Sequence, residues 1–250
     1  MKNFIIFLLF FFPIISYAEK VIWSDNFTTN TLDQYAALGI YYATDRPISG
    51  WSISDGKLHS SFGLVGMLGF KDAQGQIMQT PDHFSISYSY MPTYPETQAP
   101  YNQDHPGIVL NRTSSVAKEL YLRPHSNQVV GSYTTNNNFY YTTVKSTSGL
   151  SVHSSYDLFF EVDFLSLTAK IIVKSLGGAN LIHTATLTGT EFTNVFGTSN
   201  AGGIFGLMAT DTDGASYDNL VVIDYTIVPE PGSIYLVLGM LVCFIFFTRK

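Results

Sequence analysis

Two carboxylates stand one residue apart in the stretch Tyr156-Asp-Leu-Phe-Phe-Glu-Val-Asp-Phe164, where polar and apolar residues alternate. In an extended strand Glu161 and Asp163 therefore share one face, and Leu158, Phe160, Val162 and Phe164 share the other. A carboxylate pair on one face suits glycoside hydrolysis, one member acting as nucleophile and the other as acid/base. The simpler reading is the solvent side of an ordinary half-buried strand, which leaves Glu161 and Asp163 as weak catalytic candidates. The other titratable residues add no catalytic set. His59, His83, His105, His125, His153 and His183 are scattered without the short spacings of a metal triad, and no Gly-x-Ser-x-Gly elbow or phosphate-binding glycine loop is present.

A second arrangement suits a hard cation. Asp211-Thr-Asp213-Gly-Ala-Ser-Tyr-Asp218-Asn219 gathers three carboxylates and an amide within nine residues around a glycine, and calcium takes its oxygen ligands from such loops. Asp25 and Asn26 would approach if the first and last strands pair. Against a metal, Asp-x-Asp-Gly is also a good turn, and the spacing of an EF-hand is absent. Asp211, Asp213, Asp218 and Asn219 thus form a candidate calcium site, and no other cofactor is expected.

A third pattern is aromatic. Tyr94, Tyr101, Asn102 and Asp104 lie in the proline-containing stretch from Pro92 to Pro106, which is too irregular for a strand and reads as a loop. Tyr133, Asn137, Tyr140 and Tyr141 surround a second turn, at Asn136 to Asn138. Sugar-binding sites combine flat rings, which stack on the apolar faces of pyranoses, with amides and carboxylates that satisfy the hydroxyls. The competing reading makes these tyrosines ordinary members of β structure, where tyrosine is common.

The elements that must position these residues read as strands. In His83-Phe-Ser-Ile-Ser-Tyr-Ser-Tyr90, Phe84, Ile86, Tyr88 and Tyr90 share one face and Ser85, Ser87 and Ser89 the other. Similar runs occur at 21–27, 57–62, 107–111, 119–123, 139–145, 157–164, 169–174, 181–187, 203–208 and 216–225. Asp55-Gly56, Gly177-Gly178 and Asp213-Gly214 punctuate them as turns. No long stretch of helical period interrupts residues 19–226, so the expected fold is all-β, a two-sheet antiparallel sandwich or jelly roll.

Both ends read as addresses. Met1-Lys2-Asn3, the apolar run Phe4 to Ile15 and Ser16-Tyr17-Ala18 have the order of a secretory signal peptide cleaved after Ala18, so 1–18 is assigned to it. At the other end Val228-Pro229-Glu230-Pro231-Gly232 precedes a hydrophobic helix at 234–248 and the basic residues Arg249 and Lys250. This order resembles the PEP-CTERM sorting signal of exopolysaccharide-producing Gram-negative bacteria. The resemblance, over 227–250, implies a transient membrane anchor, processing by signal peptidase and an exosortase, and delivery to the cell envelope, surface or extracellular matrix. A plain membrane anchor is the alternative. The single cysteine, Cys243, lies in this tail, so the body cannot hold a disulfide. Residues 19–230 carry 10 basic and 19 acidic residues, a net charge of −9, which argues against nucleic acid as a partner.

A further resemblance is spread over nearly all of 21–226, within the domain assigned to 19–226. Trp23-Ser-Asp-Asn-Phe27, Gly50-Trp-Ser-Ile-Ser-Asp-Gly-Lys-Leu58, the strand carrying Glu161, and Tyr217-Asp-Asn-Leu-Val-Val222 are similar in order to the concanavalin A-like lectin and glucanase jelly roll. That resemblance implies adjacent first and last strands. It also sharpens the catalytic question, because glucanases of this group carry Glu-x-Asp-x-x-Glu, whereas here Ser166 stands in place of the third carboxylate. The sequence thus points to a non-catalytic, polysaccharide-binding surface or matrix protein. A glycoside hydrolase and a structural adhesion protein with protein partners are the alternatives.

Overall fold

The computed structural model describes residues 19–39, 50–61, 64–93, 105–112, 116–135, 138–200, 202–211 and 214–226. The expected signal peptide and the sorting signal lie outside the described residues.

Two antiparallel sheets face each other. In chain order the strands are β1 (Lys20–Asp25), β2 (Tyr35–Gly39), β3 (Trp51–Ser54), β4 (Lys57–Ser60), β5 (Leu64–Phe70), β6 (His83–Pro92), β7 (Gly107–Arg112) and β8 (Val116–Arg123). They continue with β9 (Gln128–Thr135), β10 (Asn138–Ser146), β11 (Tyr156–Asp163), β12 (Thr168–Ser175), β13 (Leu181–Thr188), β14 (Ile204–Asp211) and β15 (Ala215–Asp224). One short helix, α1 (Thr190–Phe196), precedes β14. The first sheet runs β13-β12-β11-β6-β15-β4-β3, with β1 also on β15, and the second runs β10-β9-β8-β7-β14-β5-β2. The first and last strands are adjacent, as expected: Trp23 lies opposite Val222 and Asp25 opposite Leu220.

Alternation decides what fills the interior. Phe84, Ile86, Tyr88 and Tyr90 of β6 and Leu158, Phe160 and Val162 of β11 point inward and are buried. From the second sheet Ile108, Leu110, Leu120, Leu122, Phe205 and Leu207 meet them in one core. Phe205 bridges the layers, its ring centroid 5.0 Å from that of Phe84 and 5.2 Å from that of Phe70. The serine face of β6 is covered as well. Ser89 Oγ donates to Asp157 at 2.7 Å, and Ser85 Oγ lies 3.1 Å from the Tyr225 hydroxyl, so both serines are buried despite facing outward.

Four strands, β2, β3, β5 and β9, and the helix were not expected from the alternation. β5, Leu-Val-Gly-Met-Leu-Gly-Phe, lacks alternation because Met67 and Leu68 are buried on opposite faces, as in a strand covered on both sides. β9 is interrupted by Gly131. A Cβ there would lie 2.5 Å from Val195 of α1, so the position needs glycine to let the helix pack.

Candidate functional site

The antiparallel pair β9–β10 builds the aromatic edge of the second sheet. Its register sets Tyr140 opposite Tyr133 and Tyr141 opposite Ser132. Cross-strand partners lie on the same face, while consecutive residues alternate. The three tyrosines that the sequence groups together are therefore divided. Tyr133 and Tyr140 stack with centroids 4.9 Å apart and planes 17° apart. Tyr141 emerges on the opposite face, where the Arg123 guanidinium carbon lies 5.4 Å from its ring centroid, a cation–π contact. β10 is the last strand of its sheet, and Tyr140 and Tyr141 are 42% and 53% exposed. A bulge follows at Thr142, whose hydroxyl donates to the Gly131 carbonyl at 3.1 Å.

On the Tyr133 side the sheet meets α1 across a cleft of about 590 Å³ lined by Lys118, Tyr133, Thr142, Thr193 and Asn194. The walls are fixed. The Lys118 ammonium donates to the carbonyl of Phe196, and Lys145 pairs with Glu191 at 2.5 Å. Burial holds the Lys118 ammonium below its usual range.

On the Tyr141 side a polar row crosses the sheet. Ser132, opposite Glu119, donates its hydroxyl to that fully buried carboxylate at 2.7 Å. Met67, Val109, Ala117, Tyr121, Val130 and Met208 form a small apolar cluster separate from the main core. Over it, His105 stacks on Tyr121 at 5.0 Å, with His125 at 5.8 Å. Arg123 Nη2 lies 3.5 Å from His125 Nε2. Burial, reinforced by the charges of Arg123 and His125, pushes His105 down to about 3. The imidazole of His105 is thus neutral at physiological pH. Residue spacing gives no sign of this histidine grouping, because His105 before β7 and His125 just after β8 come from two separate segments.

The catalytic candidates share the outer face of the first sheet, as the alternation predicts, and each has local partners. Glu161 Oε1 lies 2.9 Å from His83 Nε2, and Asp163 Oδ2 lies 4.0 Å from His83 Nδ1. Asp163 caps the β11–β12 turn, accepting from the Leu165 and Ser166 amides at 2.8 and 3.1 Å and from the Ser166 hydroxyl at 2.5 Å. Burial raises the Asp163 carboxyl, but these hydrogen bonds and His83 outweigh it and hold the group below the ordinary carboxylate range. An acid that stays ionised is a poor proton donor. Ser166, in place of the third carboxylate, is a turn residue.

Of the calcium candidates, Asp218 accepts the amide of Asn219 at 2.7 Å, and Asn219 takes a left-handed conformation with φ 53°. The backbone of Asp211 ends β14, and Asp213 lies outside the described residues. Asp25 sits beside β15 but is occupied: its carboxylate accepts from the Phe27 amide at 2.7 Å, the Thr31 hydroxyl, and the Tyr35 hydroxyl at 2.9 Å. Among the described residues no three His, Cys, Asp or Glu side chains converge as a metal site. Tyr94, Tyr101, Asn102, Asp104 and Asn137 lie outside the described residues.

No protein-family model and no curated protein matches the sequence. Solved structures do match the architecture. Arcelin-5, a lectin-like defence protein from Phaseolus vulgaris, superposes with a TM-score of 0.53 at 8% identity, covering 82% of this chain and 97% of its own. The fold is a two-sheet antiparallel jelly-roll sandwich. The CBM2 module of the evolved Dit protein of Lactobacillus casei BL23 phage J-1 matches with a TM-score of 0.50 at 10% identity, over 84% of this chain and 97% of that one. The GH43 protein BlXynB from Bacillus licheniformis reaches 0.50 at 14% identity, over 82% of this chain but only 40% of the enzyme. Lectin-like, carbohydrate-binding and enzymatic proteins thus share this jelly roll, and the site must decide among them.

Proposed function

We propose that the protein is a non-catalytic polysaccharide-binding protein of the cell surface or extracellular matrix, with the β9–β10 edge as its contact for the glycan. One observation carries the reading. Two consecutive half-exposed tyrosines on an edge strand are each held from behind, Tyr140 by Tyr133 and Tyr141 by Arg123. Rings fixed in this way lose little entropy when a pyranose lies on them, and aromatic platforms with nearby amides and hydroxyls suit sugar hydroxyls and C–H faces together. Thr142, Thr193 and Asn194 supply such groups beside Tyr133. The lectin-like and carbohydrate-binding proteins that share the fold support the same reading. Asp163, with both carboxylate oxygens engaged by the Leu165–Ser166 turn, weighs against hydrolysis.

The address rests on the two ends of the sequence. The segment 1–18 directs export, and 227–250 passes the protein to an exosortase in a Gram-negative envelope after a transient stay in the membrane. The test is a polysaccharide array probed with the full chain, with released reducing sugar assayed in the same samples. Retention without sugar release is expected. Sugar release would replace the binder with a hydrolase, and no retention on any glycan would leave adhesion to protein partners.

A further inference from the structure

At the opposite edge of the second sheet from β10, residues distant in sequence enclose a cleft of about 740 Å³. Its lining includes Lys20 and Trp23 of β1, Asp33 and Gln34 on the short turn before β2, and Lys71 and Asp72 just after β5. The volume falls within the roughly 300–1,000 Å³ of small-ligand sites.

The cleft is built rather than incidental. Trp23 is half-buried, and its Nε1–H donates to the Tyr35 hydroxyl at 3.3 Å. Tyr35 in turn donates to Asp25 at 2.9 Å, and its ring stands edge-on to Trp23 with centroids 5.3 Å apart. Phe70 lies 5.7 Å away on the same indole. The indole is thereby locked, and with its one donor already used it has only its ring to offer a ligand. The other two segments are pinned. Lys71 donates its amide to the Gln34 carbonyl at 3.0 Å and its ammonium to the Asp33 carbonyl at 2.8 Å. Asp72 caps its own loop by accepting from the Gln74 and Gln76 amides at 2.9 and 2.8 Å.

We propose that this cleft is a second glycan site, separate from the Tyr140–Tyr141 edge, which takes an uncharged sugar chain by stacking one ring on Trp23. The lining charge chooses the ligand class. Lys20 and Lys71 balance Asp33 and Asp72, so the lining has no net charge with which to favour a charged glycan, while neutral hydroxyls find both donors and acceptors. The second site stands on the cleft itself and does not depend on the tyrosine edge.

Trp23 reports on its own site, because the only other tryptophan, Trp51, is 4% exposed. The experiment titrates the full chain with laminarihexaose, cellohexaose, maltohexaose and mannohexaose while following tryptophan emission. At least one hexaose is expected to shift the emission saturably. Asp33→Ala and Gln34→Ala, both exposed side chains, are expected to weaken that response about tenfold, the effect of losing one hydrogen bond to a charged or strongly polar group. Tyr140→Ala and Tyr141→Ala should leave it intact, which keeps failure of this site distinct from failure of the other. Emission unchanged by all four sugars, or a response that survives both the Asp33 and the Gln34 substitution, overturns the proposal.

Discussion

Replacing His105 by Phe should remove an acid sensitivity built into the second sheet. His105 is 7% exposed, stacks on Tyr121, and has an Nε2 without a hydrogen-bond partner among the described residues. Its folded value is pushed from 6.5 to about 3, first by burial and then by Arg123 and His125. Between those values the unfolded chain takes up a proton that the folded chain refuses. Stability from this group is therefore complete above the unfolded value and falls as pH drops toward the folded one. From about pH 7 to about pH 5 the loss works out to about 2 kcal/mol. His105→Phe keeps a flat ring on Tyr121 and cannot titrate. Urea unfolding at a series of pH values, followed by tryptophan emission, should show the wild type losing about 2 kcal/mol more than the variant over that range. Contributions from His125 and His183, whose values burial also lowers, cancel in the comparison. Parallel pH profiles for the two proteins would rule out His105 as the source of acid sensitivity.

Other perturbations act through close packing. Gly131→Ala places a methyl group 2.5 Å from Val195, so α1 must shift, and a loss of about 1–3 kcal/mol is expected in thermal or urea unfolding. Gly206→Ala is harsher, because its Cβ would lie 1.9 Å from the Leu68 backbone carbonyl within the β14–β5 ladder; about 3 kcal/mol or more should be lost, read as poor folding on circular dichroism. Tyr35→Phe removes the hydroxyl that joins Trp23 to Asp25 and should cost about 1–3 kcal/mol, with a change in Trp23 emission that marks the freed indole.

The parts that were legible in the sequence are those that alternation controls. The inward faces of β6 and β11 and the outward placement of Glu161 and Asp163 follow from a period of two, while the adjacency of β1 and β15 was implied by the jelly-roll resemblance. β5 was hidden because both of its faces are covered and no polar residues mark one side. α1, seven residues long, is too short to display a helical period. Within the site, Tyr133 and Tyr140 could be placed near one another from the asparagine run between them. The Arg123 contact on Tyr141 could not, because β9 separates their strands and a register is needed to bring them together. Likewise His105, Tyr121 and His125 meet only when the segment before β7 lies over β8, and the Trp23 cleft joins segments some 50 residues apart in sequence. Sequence spacing is silent on pairs made by long-range strand pairing.

If the backed tyrosines of β10 hold polysaccharide, removing them must release it. Co-sedimentation of the full chain with the producing organism's extracellular polysaccharide, comparing wild type with the double variant Tyr140→Ala, Tyr141→Ala, reads this without an intermediate step. Both side chains are about half exposed, so the variant should unfold at nearly the wild-type midpoint. Truncating an aromatic ring that packs on a ligand costs about 1–3 kcal/mol, so the affinity of the double variant should fall at least tenfold. Equal sedimentation of wild type and a folded double variant would show that the β10 edge is not where the polysaccharide binds.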